Sequence, residues 1–221
     1  MSLVQTAITG FAEYHKIDTL FERGADFRVD PSKLKKSVLG TISEWDVTEK
    51  IDGTNIRVML SKEGEVSFGG RSDNAQLPAD LLQTLFRMFP ADRLKSALWI
   101  EGAPTQAILY GEGYGAGIQK GGGYRPDKSF ILYDILVDEK WWLDHKDVVD
   151  VAAKLGIDTV PYLGRLTLAQ IVDLVRAPFP SRIGSAIAEG IVARPIETIF
   201  DKRGERIIIK LKTKDFLAGR R

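Results

Sequence analysis

The chain has no cysteine. That excludes disulfides, thiol catalysis and zinc–cysteine sites, and it fits a reducing compartment. Histidine is scarce: His15 and His145 stand apart, and neither is assigned a role. A charge excess is also missing. Thirty-one Lys and Arg against 30 Asp and Glu leave +1, so no global basic field announces a nucleic acid. Any such contact must come from a local patch. No apolar run approaches the roughly 20 residues needed to span a bilayer. The N-terminus lacks the charged-then-apolar pattern of a secretory signal. The expectation is a cytoplasmic protein with no membrane contact. There is no internal repeat and no low-complexity linker.

What is present is an ordinary globular composition. With 221 residues, 44% hydrophobic and 28% charged, the chain can enclose a good core and is expected to be one domain over residues 1–221. Residues 1–44 hold an ordered start around Tyr14-His15-Lys16-Ile17 and Thr19-Leu20-Phe21, with a polar loop and a short helix over 24–40. From Trp45 the pattern is β: 45–49, 55–60 and 66–69. Leu81, Leu82, Leu85, Phe86 and Phe89 recur at helical spacing and predict a helix over 78–98 that Pro90 breaks or restarts. Strands are expected at 108–111 and 129–136. A helix over 147–155 should end at Gly156, and Thr167 should cap another reaching about Arg176. Strands at 190–194 and 206–212 flank a turn at Lys202-Arg203-Gly204. Trp141-Trp142 reads as packing beneath a helix. Strand runs with separate helices argue for α+β with antiparallel sheets rather than a doubly wound parallel sheet.

The segment Glu49-Lys50-Ile51-Asp52-Gly53-Thr54-Asn55 is the most informative one. It places a lysine beside a glycine turn with a carboxylate two residues on. An amine attacks phosphorus only when free of its extra proton, and neighbouring cations or desolvation favour that form. Glu49, Asp52 and Asn55 are polar groups suited to positioning a nucleotide. The same residues also suit a hairpin turn, since Asp-Gly between alternating strands is a strong turn signal.

Lys50-Ile51-Asp52-Gly53-Thr54-Asn55 resembles motif I (KxDG) of the covalent nucleotidyltransferases, which include ATP-dependent DNA ligases, RNA ligases and capping enzymes. Four further segments follow in the family's order. Tyr110-Gly111-Glu112 resembles motif III, Phe130 to Ile135 motif IIIa, Glu189-Gly190-Ile191-Val192 motif IV, and Lys210-Leu211-Lys212 motif V. Asn55, the run Tyr110 to Lys120 and Pro161 to Arg165 are similar to RNA ligases of the RNA ligase 2 type. The resemblance implies a nucleotidyltransferase fold, with antiparallel sheets around a nucleotide cleft flanked by helices. It implies an ATP-dependent RNA ligase that joins RNA 5′-phosphate and 3′-OH ends. The alternatives are an ATP-dependent DNA ligase, another polynucleotide nucleotidyltransferase, or a nucleotide-binding protein without turnover.

The implied roles fall residue by residue. Lys50 takes AMP from ATP as a lysyl phosphoramidate. Lys210 and Lys212, two apart on a strand, share one face and face the phosphates, where cations stabilise developing charge. Lys214, next on that face, reads as a solvated lysine. Glu112 and Glu189 contact ribose or hold Mg²⁺ or Mn²⁺ with its waters, although a glutamate beside a glycine is also common on plain surface. Tyr133 stacks on adenine or belongs to the core, with Asp134 a neighbouring polar group. Arg71, after Gly69-Gly70, contacts the nucleotide or an incoming 5′-phosphate. Glu49, Ile51, Asp52 and Asn55 complete the nucleotide contacts. The glycines of 113–123, with Lys120 and Arg125, form either a phosphate nest or a mobile loop. The family type carries a C-terminal domain that engages nicked RNA, and the sequence ends at Arg221, soon after motif V. The expectation is therefore no accessory domain, with RNA ends (nicked duplex or single strand) engaged through a protein partner or through the Arg220-Arg221 tail.

Overall fold

The computed structural model describes residues 11–24 and 29–216. Thirteen strands follow in chain order: β1 (Asp18–Thr19), β2 (Phe21–Arg23), β3 (Val29–Leu34), β4 (Trp45–Lys50), β5 (Thr54–Leu60), β6 (Val66–Gly69), β7 (Ala107–Tyr114), β8 (Ser129–Val137), β9 (Trp141–Trp142), β10 (Asp158–Thr159), β11 (Tyr162–Leu166), β12 (Gly190–Pro195) and β13 (Ile209–Lys212). The α-helices are α1 (Ala79–Met88), α2 (Ala91–Leu98), α3 (His145–Leu155) and α4 (Leu168–Val175). Among the described residues no helix is long and apolar enough to cross a membrane.

The chain divides into two compact units, one of Met1–Tyr14 with Asp52–Val160 and one of His15–Ile51 with Pro161–Arg221. In the first, the sheet runs β10-β8-β7-β5-β6, with β9 on β8. Its core joins Ile56, Val58, Leu109, Leu132 and Ile135 to Leu81, Leu85 and Phe89 around α1, Leu94 of α2 and Val148, Val151 and Leu155 of α3. The predicted helix over 78–98 is thus two helices. Pro90 lacks the N–H a continuous helix needs, and it becomes the residue before α2. Gly156 ends α3 in the left-handed conformation at φ 61°.

The second unit carries the sheet β1-β13-β12-β4-β11 and the pair β2-β3. Trp45, Val47, Ile191, Ala193, Ile209 and Leu211 form its core with Ile171, Val172 and Val175 of α4. Thr167 closes a capping box with Gln170 at the start of α4. Antiparallel pairing dominates both sheets; of the two-residue strands, β1 pairs in parallel with β13 and β10 with β8, while β9 pairs antiparallel with β8.

Several expectations change. The stretch expected as loop and short helix over 24–40 contains β3, paired with β2, followed by a 3-10 turn at Ser37–Thr41. Residues 25–28 lie outside the described set, as do the Arg220-Arg221 tail and residues 1–10. Asp52-Gly53 is not a hairpin turn: β4 and β5 belong to different sheets, so these residues carry the chain from one to the other. Trp141 and Trp142 form β9 rather than packing under a helix. Trp141 is exposed, and the Trp142 ring lies 5.5 Å from that of Tyr110. The last strand is regular only from Ile209, with Arg206 in an isolated bridge to Phe200.

Candidate active site

The second unit gathers three separated motifs on one sheet face. β12 lies between β4 and β13, and Gly190 faces Lys50 on one side and Lys212 on the other. Side chains alternate along each strand. Ile209 and Leu211 are buried while Lys210 and Lys212 are partly exposed, so the two lysines share the face away from the core. Val47 and Lys50 divide in the same way on β4. Gly190 permits the close strand spacing, since a Cβ there would lie 2.1 Å from the Leu211 carbonyl oxygen.

Glu189 sits just before this crossing. Lys50 Nζ donates to its Oε2 at 2.5 Å, and Lys212 Nζ donates to its Oε1. The carboxylate side chain is 15% exposed and the two lysines 21% and 22%. Burial alone would push the Glu189 carboxyl up. The charge of Lys50 and the hydrogen bonds from Lys212 and Lys50 outweigh it and hold the carboxyl below its ordinary value. Glu189 is therefore an anion that holds two cations side by side.

Glu49 and Ile51 have other surroundings. Glu49 is 1% exposed, and its carboxylate accepts from Ser181 Oγ at 2.5 Å and from the Arg182 backbone N–H at 2.9 Å. It anchors the 181–182 segment. Ile51 is buried and sits among the core residues.

The first unit holds the rest. The Asp52 backbone N–H donates to Tyr124 Oη at 3.2 Å. Gly53 is required by a close approach: a Cβ would stand 2.3 Å from the Gly113 carbonyl oxygen and 2.7 Å from Glu112 Cγ. Asn55 on β5 and Glu112 on β7 are direct cross-strand partners. Asn55 Nδ2 donates to Tyr133 Oη at 2.5 Å, and Asn55 Oδ1 is buried with no hydrogen-bond partner among the described residues. A buried acceptor without a donor is costly unless a ligand supplies one.

The β7–β8 ladder shifts register between Tyr110 and Gly111, opposite Tyr133. Such a bulge re-aims side chains. Tyr133 is partly exposed as a residue, and its ring meets the Tyr14 ring edge-on at 5.2 Å. Desolvation, then the charge of Glu112, pushes its phenol well above the ordinary range, so it stays neutral. Asp134 is buried and accepts from Tyr14 Oη at 2.7 Å. Sequence reasoning missed that role for Tyr14. An aromatic near the start of a chain carries no periodic signal of its partner 120 residues on.

Arg71 is exposed at the start of a loop whose base is held by a buried arginine. Arg57 Nε donates to the Gly70 carbonyl at 2.9 Å and Nη2 to Asp73 at 2.6 Å. Arg57, 1% exposed, had no signal beyond a charged residue in an apolar strand. The glycine-rich stretch is a packed set of turns: Ile118 and Gly121 are buried, and Arg125 is paired with Asp127 at 2.8 Å. Among the described residues, no three His, Asp or Glu side chains cluster as metal ligands.

The sequence profile of the RNA ligase family matches residues 43–212. Among solved structures, a Naegleria gruberi RNA ligase mutant with AMP and Mn is 18% identical, with a TM-score of 0.64 over 97% of this chain and 62% of that one. The Naegleria gruberi RNA ligase with PPi gives 20%, 0.61, 98% and 62%. A mutant of that ligase with ATP and Mn gives 20%, 0.59, 79% and 51%. At such identities the likeness carries the fold alone, an α+β nucleotidyltransferase-type fold. The chain spans 51% to 62% of the length of these structures. No curated protein matches it.

Proposed function

This chain belongs to the RNA ligase family, and from that premise we propose that it is an ATP-dependent RNA ligase core working through a lysyl-AMP intermediate. The carrying observation is the bridge that Glu189 makes between Lys50 and Lys212. Three motifs separated by up to 162 positions in sequence, from 50 to 212, meet on one sheet face of one unit.

Lys50 gives its extra proton to solvent, its amine attacks the α-phosphorus of ATP and releases a second proton as the P–N bond forms, the bond to the bridging β-phosphate oxygen breaks, and pyrophosphate leaves. AMP then passes to an RNA 5′-phosphate and frees Lys50. The RNA 3′-OH attacks that phosphate, AMP departs, and a phosphodiester bond remains. Glu189 orients Lys50 and Lys212 together. Lys212 and Lys210 offset the charge that builds on the α-phosphate and on pyrophosphate. In the first unit Tyr133 offers a neutral ring to adenine, and Asn55 Oδ1 offers the acceptor that an exocyclic amino group needs. Arg71, exposed, suits a phosphate oxygen.

A divalent cation, when bound, supplies positive charge for the leaving pyrophosphate. Glu112 in the first unit and Glu189 in the second are the carboxylates assigned to metal binding, each taken within its own unit. Each is a hard oxygen donor of the kind that Mg²⁺ or Mn²⁺ takes while keeping most of its waters.

The test is intact-protein mass spectrometry after incubation with ATP and Mg²⁺ or Mn²⁺. One AMP should add to the protein, map to Lys50, and disappear with excess chelator. Lys50→Ala should stay unlabelled while keeping its fold. A labelled Lys50→Ala protein, or full labelling in chelator, would overturn the reading. Ends of RNA and DNA supplied to the charged protein then separate RNA ligase from DNA ligase activity.

A further inference from the structure

The near-neutral charge of the chain conceals a strongly basic cleft. Within the second unit a cleft of about 740 Å³ is lined by Lys16, Arg23, Lys35, Lys210, Lys212 and Lys214, with Glu22 the one acid in its wall among the described residues. These cations come from the segment before β1, from β2, from the residue just after β3, from β13 and from the 3-10 turn at Thr213–Asp215. They lie far apart in sequence and converge only through the parallel pairing of β1 on β13 and the pairing of β2 with β3.

Partners neutralise part of this charge. Arg23 pairs with Asp215 at 2.7 Å, Lys35 with Asp18 at 3.0 Å, and Lys212 with Glu189. Lys16 and Lys214 are exposed and make no ion pair among the described residues. The turn at Thr213–Asp215 explains Lys214. It leaves the strand geometry that would make it a plain solvated neighbour of Lys212 and stands on the cleft wall instead.

We propose that this cleft binds the phosphodiester backbone of single-stranded RNA and leads it toward the lysine pair of β13. The inference rests on the RNA ligase reading and deepens it by naming the surface that holds the strand. Lysines are compact point charges that take phosphate oxygens without demanding a fixed geometry. Several of them spread along a cleft suit several successive phosphates rather than one. The lining offers no exposed aromatic ring, since Phe21 is 5% exposed, so bases have no stacking platform and sequence is not read. Binding of this kind is dominated by counterion release. Lys212 belongs to both the cleft wall and the Glu189 cluster that holds Lys50, so a strand lying there ends beside the reacting amine of the same unit.

The experiment uses the full chain and a dye-labelled oligouridylate, with anisotropy measured across a salt series. Lys16→Ala/Lys214→Ala should raise Kd by roughly tenfold and flatten the slope of log K against log salt by about 1.4, about 0.7 for each lost phosphate contact on a single strand. Lys62→Ala/Lys146→Ala makes the same change in net charge on exposed lysines of the first unit and should leave Kd and slope as they are. Both removed cleft lysines lack ion pairs, and a thermal melt confirms that the fold is kept. Self-adenylylation is followed on every protein. Equal Kd and slope in the cleft variant and the wild type would remove the cleft from RNA binding, while a labelled wild type would leave the ligase reading standing. Loss of ATP use with RNA affinity unchanged would overturn the proposal and assign the cleft to the polyphosphate of ATP. A wild type that takes no AMP but whose RNA affinity falls in the cleft variant would sink the ligase reading and support the cleft.

Discussion

Glu189 carries more of this site than its sequence neighbourhood announces. Each of its oxygens accepts from a different lysine, so removing its charge leaves Lys50 and Lys212 facing each other without a counter-ion. Glu189→Gln should cost about 1–3 kcal/mol near neutral pH, the range for a buried group deprived of a charged partner. The pH dependence follows from the direction of the shift. The folded carboxyl lies below its ordinary value of 4.5, so its contribution is complete above that value and is lost as pH falls through the lower folded value. Denaturant titrations of both proteins should show a stability gap that narrows below about pH 4.5. A gap that stays constant down to acid pH would mean that the two ion pairs contribute nothing to the folded state.

At the scale of elements, β12 is the strand that organises the lysines, because it is the neighbour of both β4 and β13. Its first residue has no room for a side chain: a Cβ on Gly190 meets the Leu211 carbonyl oxygen at 2.1 Å and Lys212 Cα at 2.7 Å. Both are backbone atoms, so relief requires a shift of one strand against the other. Gly190→Ala should therefore cost about 1–3 kcal/mol, as overpacking does, and should suppress self-adenylylation more than the stability loss alone explains. Ile191→Val, a buried position one residue on, should cost about 0.5–1.5 kcal/mol and keep adenylylation. If Gly190→Ala charged with AMP at the wild-type rate, the tight crossing would be irrelevant to the chemistry. The sequence marked β12 and β13 through apolar runs, yet their adjacency to β4 has no local signature. The same holds for β3, whose middle residues Asp30, Pro31, Ser32 and Lys33 give no apolar alternation and read as loop. Its hydrogen bonds go to β2, and pairing rather than apolar alternation makes it a strand.

At the scale of the molecule, chain order and spatial order diverge. Residues 52–160 run without interruption through the first unit, where β5 pairs with β6 and β7, and β7 with β8. The central pairing of the second unit joins Trp45 to Pro195 and Lys50 to Gly190. Closing that long loop costs more chain entropy than closing the nearer pairings of β5 to β8, and folding slows as contacts become less local. Pulse-labelling hydrogen exchange during refolding should protect amides of β5, β7 and β8 before those of β4 and β12. Protection of β4 and β12 first would show that loop closure does not set the order.

The sequence by itself determined the ordered motifs, the α+β class, most strand and helix positions, the break at Pro90, the stop at Gly156 and the cap at Thr167. These depend on local rules: side-chain period, the missing N–H of proline, the left-handed freedom of glycine and a side-chain oxygen next to a helix start. It also pointed to a shared face for Lys210 and Lys212, because a two-residue period is local. Only the tertiary structure decided that Asp52-Gly53 joins two sheets, that Glu189 holds Lys50 and Lys212, that Glu49 anchors Ser181 and Arg182, and that Lys16 and Lys214 share a basic cleft. Each of those facts is a meeting of residues far apart in the chain or of strands whose order is not their sequence order. The free energy that selects them comes from burial and backbone pairing summed over a whole unit, and no window of neighbouring residues contains that sum.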